Sequence, residues 1–214
     1  MDKVNDFLKD NLVFVQKPIG LSGGRGIKKL YSTDFDIKDI QEQLSRGGVI
    51  IEGVLEQAKA LSIINPSSVN TIRIATMIDG NGIIHVPCAS LRIGRKGKNV
   101  DNFCAGGLVA SIDMETGRIS SEAFDKYANS YKLHPDTKIK FMNYQLPYWD
   151  DIISTVKEAA KRVPKCRYIG WDVAIRNDGK ICLIEGNTRA EARLFQIPQK
   201  RGLRKLYEKY LGKW

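Results

Sequence analysis

The segment that most constrains this chain is Gly170-Trp-Asp-Val-Ala-Ile-Arg-Asn-Asp-Gly-Lys-Ile-Cys-Leu-Ile-Glu-Gly-Asn187. Two apolar-rich runs flank Asp178-Gly179, a pair suited to a two-residue type I′ turn, which needs positive φ at both central positions. With the turn there, Asn177 faces Lys180 and Asp172 faces Glu185. The two-residue repeat of a strand then carries Asn187 along the Glu185 face. Carboxylates directly opposite each other repel. A hard divalent cation between them removes that repulsion. Asp, Glu and Asn oxygens are ligands that Mg²⁺ accepts, with substrate phosphates and water completing its octahedron. The flanks Trp171, Val173, Ile181, Leu183 and Ile184 predict a largely buried hairpin. Asp172, Glu185 and Asn187 are therefore the expected metal ligands rather than a solvated acidic face.

The chain has 214 residues, 43% of them hydrophobic, enough for one sizeable domain or two small lobes sharing a core. No run approaches the ~18–20 apolar residues of a membrane span. The charged opening, residues 1–10, lacks the apolar centre of a signal peptide. Cys88, Cys104, Cys166 and Cys182 stand singly, without a histidine at ligand spacing, and are expected as reduced packing residues of a cytoplasmic protein. Zinc is not expected. The formal charge of +10 favours anionic substrates such as nucleotides. Its densest stretch, Lys200 to Lys213, alternates with Leu203, Leu206, Tyr207, Tyr210 and Leu211 at helical spacing. That pattern predicts a solvated face on a terminal amphipathic helix rather than a nucleic-acid surface.

The order of elements is that of a mixed α+β chain. Residues 11–16 predict a strand running into Lys17-Pro18 and a glycine-rich stretch, 19–27. Residues 36–44 have helical periodicity capped by Asp34 or Asp36, Gly47-Gly48 ends that helix, and 49–53 predict a buried strand. Segments 71–78 and 83–93 flank Asp79-Gly-Asn-Gly82, a second hairpin signal, and 108–113 predict another strand. Residues 120–148 are polar and are expected to be irregular. Residues 150–163 predict an amphipathic helix stopped by Pro164.

Several residues suit phosphate chemistry. Glycines 20, 23, 24 and 26 let backbone N–H groups close over phosphate oxygens, with Lys17 as a point charge at the strand end. The stretch is neither a P-loop nor a G-x-G-x-x-G fingerprint. Glu52 ends its strand where a nucleotide's ribose hydroxyls or adenine amino group would meet it, unless it is merely an exposed strand end. Arg73 and Arg92 lie in apolar strands, where an arginine needs an anionic partner. Asp101-Asn-Phe-Cys-Ala-Gly-Gly107 is a polar turn that permits close backbone approach. His134, before Pro135, is expected to stabilise a turn or contact substrate. His85, Trp149 and Trp171 are expected to be structural.

In this order, Lys17-Pro with its glycine loop, the 49–53 strand, Arg73, Arg92, Asn102 with Gly106-Gly107, Asp172 and Glu185-Gly-Asn187 resemble the ATP-grasp superfamily. Pro66-Ser-Ser-Val-Asn-Thr-Ile-Arg73, Val100-Asp-Asn-Phe103, His134-Pro-Asp-Thr137 and Gly170-Trp-Asp-Val-Ala174 resemble its sugar-transfer-associated branch. The resemblance runs from about residue 13 to 197.

The resemblance implies an ATP-grasp fold of two α+β lobes, 1–58 with the glycine-rich loop and 59–214 with the metal and substrate site, and a nucleotide between them. It implies a ligase using ATP and Mg²⁺, which activates a carboxylate as an acyl phosphate for attack by an amine or another nucleophile. Lys17 would contact the α/β phosphates. The loop with Ser22, Gly23, Gly24 and Gly26 would cover the β/γ phosphates, and Glu52 would take a nucleotide hydroxyl or amino group. Arg92, with Asn102 beside it, would stabilise the acyl phosphate and the tetrahedral intermediate. Arg73 would hold phosphate or the substrate carboxylate. A cell-surface polysaccharide or peptide pathway follows from the family name alone. A kinase acting on a hydroxyl and a nucleotide-binding module without turnover are the alternatives. Superfamily members carry a preceding domain with a further phosphate-contacting lysine. The expectation here is a partner chain or domain in that role, or a compact version of the fold.

Overall fold

The computed structural model describes residues 2–20, 26–95, 101, 103–188 and 190–212. The chain divides into two compact units, Met1–Leu55 and Glu56–Trp214. Ser22, Gly23, Gly24 and Asn102, singled out above, lie outside the described residues.

The first unit starts with α1 (Asp2–Asp10), followed by β1 (Val13–Pro18), β2 (Lys28–Tyr31), α2 (Ile37–Ser45) and β3 (Val49–Gly53). Its antiparallel sheet has the order β2-β1-β3. Phe14 and Gln16 are buried on one face, and Gln16 Nε2 donates to Asp39 Oδ2 on α2 at 2.6 Å. Asp36 caps α2, its side chain accepting from the Lys38 N–H at 2.8 Å. Gly47 and Gly48 leave the helix at φ +122° and +114°, as the glycine pair predicts. β3 is not the buried strand expected. It is an edge strand, half-buried at best, with Ile50 46% exposed.

The second unit adds α3 (Lys59–Ser62), β4 (Ile72–Ile78), β5 (Ile84–Ile93), β6 (Leu108–Ile112), β7 (Ile119–Phe124) and β8 (Ser130–Tyr131). α4 (Trp149–Arg162), β9 (Tyr168–Ile175), β10 (Ile181–Asn187), α5 (Arg193–Gln199) and α6 (Arg204–Leu211) complete it. Residues 56–58 pack with this unit. Ala58 N donates to Ile175 O, and Gln57 Nε2 donates to the Asn65 and Ser68 carbonyls. Seven antiparallel strands run in the order β10-β9-β4-β5-β6-β7-β8.

Register assigns each face its job. Ile72, Ile74, Leu91, Ala110, Trp171 and Val173 share one face and pack in the main core with Trp149, Ile152, Val156 and Ala160, the buried stripe of α4. The opposite face carries Arg73, Ser90, Arg92, Ser111 and Asp172. It also carries Ala75, Cys88, Val109 and Phe124, which pack under Phe195 and Leu194 of α5, Leu203 and Phe103. The indole N–H groups of Trp149 and Trp171 are satisfied, by Met114 O and Thr76 Oγ1, so these two residues are structural.

Three expectations for this unit are corrected. Residues 120–148 contain β7 and β8, because Ile119, Ala123 and Phe124 bury one edge of an otherwise polar run. Cys104 is exposed and is not a packing residue. The third correction concerns the hairpin. Its loop has three residues, with Arg176 N donating to Lys180 O and Gly179 alone at positive φ, +81°. Asn177 therefore does not face Lys180. Its N–H donates to Glu56 O instead. A bulge at Ile184 then shifts the ladder back by one residue, so Asp172 still faces Glu185. β9 is buried, but β10 is the sheet edge, and Ile184 and Glu185 are exposed.

Candidate active site

In the second unit, β9, β4 and β5 bring Asp172, Arg73 and Arg92 together on the polar face. Arg73 clamps Asp172 with two parallel hydrogen bonds, Nε to Oδ1 at 2.5 Å and Nη2 to Oδ2 at 2.9 Å. Arg92 adds Nη1 to Asp172 Oδ2 at 2.8 Å and reaches Asp101 Oδ1 through Nη2 at 3.2 Å. All four side chains are at most 10% exposed. The anion that each buried arginine needs is thus an aspartate of the chain itself.

Gly170 makes room for the clamp. A Cβ there would lie 2.3 Å from Ala190 Cβ and 3.2 Å from Arg73 Cδ. Burial alone would raise the Asp172 carboxyl, but the hydrogen bonds and charge of Arg73 and the charge of Arg92 outweigh it. They hold the group below its ordinary value. Burial likewise opposes the charge on Arg92, and Asp101, Asp172 and Glu185 restore and raise its affinity for the proton.

Glu185 stands opposite Asp172 on β10, and Asn187 Nδ2 donates to Glu185 Oε1 at 2.9 Å. The three residues expected as metal ligands are therefore neighbours. The repulsion inferred between the facing acids is met on the Asp172 side by two guanidinium groups. Of roughly four acceptor positions on a carboxylate, three on Asp172 are filled by arginine N–H groups. Among the described residues no three His, Cys, Asp or Glu side chains form a group able to hold a metal ion. The donor set is two carboxylates and an amide, which fits Mg²⁺ held through one or two carboxylates plus substrate phosphates, and fits poorly with an all-protein cage.

In the first unit, Lys17 Nζ and Glu52 Oε2 form an ion pair diagonally across β1 and β3, on the sheet face opposite Phe14 and Gln16. Val15 and the exposed Ile50 share that face. Gly26 has φ +74°, a turn conformation that favours glycine.

His134 is fully buried. Its Nε2 donates to Gly94 O at 3.0 Å, while Nδ1 accepts from the Asp136 and Thr137 N–H groups at 3.3 and 3.2 Å. Those partners assign the neutral Nε2–H tautomer and a structural role, one of the two readings its sequence context allowed. Two participants were missed in the sequence. Asp101 was noted only as part of a polar turn, and Thr71 only as part of a strand. Their spacing from Arg92 gives no local signal, because Thr71 meets Arg92 only where β4 pairs with β5, and Asp101 joins them through its hydrogen bonds to Thr71.

A family model described as sugar-transfer associated ATP-grasp matches residues 1–210. A search of curated protein sequences found no match. Among solved structures, the ATP-grasp ligase PsnB complexed with precursor peptide PsnA2 and AMPPNP aligns at TM-score 0.52 and 17% identity, over 94% of this chain and 46% of that one. The biotin carboxylase domain of Hydrogenobacter thermophilus 2-oxoglutarate carboxylase, in complex with MgADP and bicarbonate, aligns at 0.50 and 15%, over 89% and 34%. The chain thus spans less than half the length of these structures, which share its fold. With the family model covering all but the last four residues, the chain belongs to the sugar-transfer associated ATP-grasp family.

Proposed function

We propose that the chain is an ATP- and Mg²⁺-dependent ligase, which activates a substrate carboxylate as an acyl phosphate and couples it to an amine or another nucleophile. The observation that carries this reading is the cross-strand pair Asp172–Glu185, extended by Asn187 and backed by Arg73 and Arg92. Asp172, Glu185 and Asn187 would hold Mg²⁺, whose chemistry is to neutralise charge shared between nucleotide phosphates. Lys17 and Gly26, with Ser22, Gly23 and Gly24 of the same loop, would bind phosphate oxygens, and Glu52 the nucleoside. Arg73 and Arg92, with Asn102, would supply fixed positive charge and hydrogen-bond donors where negative charge develops on the reacting carboxylate and phosphoryl groups. Fixed donors of this kind act through positioning and electrostatics and need no covalent help from the protein. MgADP carried by the biotin carboxylase domain and AMPPNP carried by PsnB support the nucleotide assignment.

The test is incubation with ATP, Mg²⁺ and pooled amino acids, amines and sugar acids, reading ADP, free phosphate and product mass. Free phosphate with a coupled product supports the ligase, and phosphate retained on a hydroxyl identifies a kinase. Nucleotide binding without ADP identifies a module that does not turn over. Failure of Mg²⁺ with ATP or ADP to raise the melting temperature would overturn the reading. Glu185→Gln should weaken Mg²⁺–nucleotide binding, and unchanged affinity would remove it from the ligand set.

A further inference from the structure

Asp101 contacts neither of the acids assigned to the metal, yet it fixes the guanidinium beside them. Its Oδ2 accepts from the Thr71 N–H at 2.8 Å and from Thr71 Oγ1 at 2.5 Å, while Oδ1 faces Arg92 Nη2 at 3.2 Å. The Thr71 carbonyl in turn accepts the Arg92 N–H at 2.7 Å. Thr71 therefore holds both the Arg92 backbone and the carboxylate that orients the Arg92 side chain.

The orientation is not the one Arg92 would choose with Asp172 alone. A lone carboxylate favours a two-pronged approach through the guanidinium fork, and Arg73 already occupies that approach. Arg92 divides its terminal nitrogens between Asp172 and Asp101, and its Nε is buried without a partner among the described residues. A buried donor left unmatched is costly, so some other contact must hold the group in place. Charge points to the same residue. Arg73, Arg92, Asp101 and Asp172 are buried together as two cations and two anions, while Glu185 stands exposed at the edge. Beyond Asp101 and Asp172, Glu185 is a further carboxylate whose charge acts on Arg92, and it stands opposite Asp172 across the β9–β10 ladder.

We propose that Asp101, itself held by Thr71, is a positioning residue for Arg92, holding its guanidinium against Asp172 and keeping it off Glu185. The geometric part is independent of the functional reading. The consequence, that Glu185 stays available to a Mg²⁺–nucleotide, rests on that reading.

Asp101→Asn keeps the shape and removes the charge, and Thr71→Val removes only the hydroxyl donor. The first readout needs no nucleotide. It is the ¹⁵N–¹H signal of Arg92 Nε–Hε, assigned by its loss in Arg92→Lys. In Asp101→Asn this signal is expected to shift and to exchange with solvent about tenfold faster or more, a loss of order 1.4 kcal/mol of protection. Thr71→Val should move it the same way by less. The second readout is calorimetric Mg²⁺–ADP affinity, expected to fall about 10- to 100-fold in Asp101→Asn, the usual cost of losing an outer partner of a metal site. An Arg92 signal unmoved in a folded Asp101→Asn overturns the proposal. Should that variant not fold, an unmoved signal in Thr71→Val does the same. If the wild-type protein binds no Mg²⁺–ADP while the signal depends on Asp101, the positioning role stands and the functional reading fails.

Discussion

Two ion-pair systems sit on the faces that the sequence marks for phosphate chemistry, and they are built on different principles. In the first unit, Lys17 and Glu52 meet on an open sheet face, 27% and 45% exposed. In the second, Arg73, Arg92, Asp101 and Asp172 form a buried, charge-neutral set in which most donors and acceptors are matched. The units differ in overall charge in the same sense. Residues 1–55 carry eight Lys and Arg against eight Asp and Glu, and residues 56–214 carry 26 against 16, so the whole +10 falls on the second unit. Exposed pairs are solvated and screened and contribute little to stability, so their side chains can change partners at small cost. Buried pairs cost desolvation, and removing one member leaves an uncompensated charge. The first system suits a site whose groups are released to a ligand, and the second a scaffold that must not move.

The largest effect should come from breaking the buried set. Arg73→Met leaves Asp172 with Arg92 alone, and the expected loss of stability is about 3–5 kcal/mol. All three tryptophans lie in residues 56–214, so a urea titration followed by tryptophan fluorescence reports this unit. A loss below about 1 kcal/mol would put the cluster in the class of surface pairs.

The pH dependence sharpens the same point. The folded Asp172 carboxyl lies below its unfolded value, so its contribution is complete above the usual range near pH 4 and is lost as pH falls through the lowered folded value. In Arg73→Met the largest lowering influence is gone and burial pushes the group upward. The deficit of the variant should therefore be widest at pH 7 and shrink at pH 3. A deficit constant with pH would place the loss in packing rather than charge.

Gly170→Ala tests the clamp without touching a charge. The backbone there is open to any residue, so the cost is space alone, from contacts of 2.3 Å to Ala190 Cβ and 3.2 Å to Arg73 Cδ. Overpacking of this kind costs about 1–3 kcal/mol. Adding Ala190→Gly should recover most of it, because the remaining contact asks Arg73 to give only a few tenths of an ångström. Failure of the double variant to recover would mean that Arg73 is the immovable neighbour.

How much of this was legible in the sequence depends on how local each signal was. Glu185 and Asn187 share a face by strand parity alone, but their place opposite Asp172 depends on the register, which a one-residue error of turn type would overturn. The three-residue loop and the Ile184 bulge each shift the ladder by one, and the shifts cancel at Asp172. The α2 cap (Asp36, one of two aspartates the sequence offers), the α4 stripe and the Asp79–Gly82 turn lie within a few residues of their causes and are legible there. The need of Arg73 and Arg92 for anions was legible, but not the anion. Asp172 stands 99 residues from Arg73 in the chain and reaches it only through the β4–β9 register. β7 was missed because Ser120, Ser121 and Glu122 interrupt the apolar pattern, and its pairing with β6 overrides that weak local preference.

The smallest stability effect should fall on the exposed pair, where the comparison between the two systems is most easily broken. Lys17→Ala and Glu52→Gln each remove one member of a solvated pair, and unfolding should change by no more than about 1 kcal/mol, less at high salt. If Lys17 instead serves a phosphate, its loss removes a charge-assisted hydrogen bond of about 1.5–3 kcal/mol from the bound state. Mg²⁺–ADP affinity should then fall about tenfold or more while the melting temperature holds. Glu52→Gln keeps the shape and frees Lys17 from its partner, so it should cost less phosphate affinity than Lys17→Ala. Equal small losses in stability with unchanged affinity would show that the pair only joins β1 to β3. The open face of the first unit would then have no part in nucleotide binding.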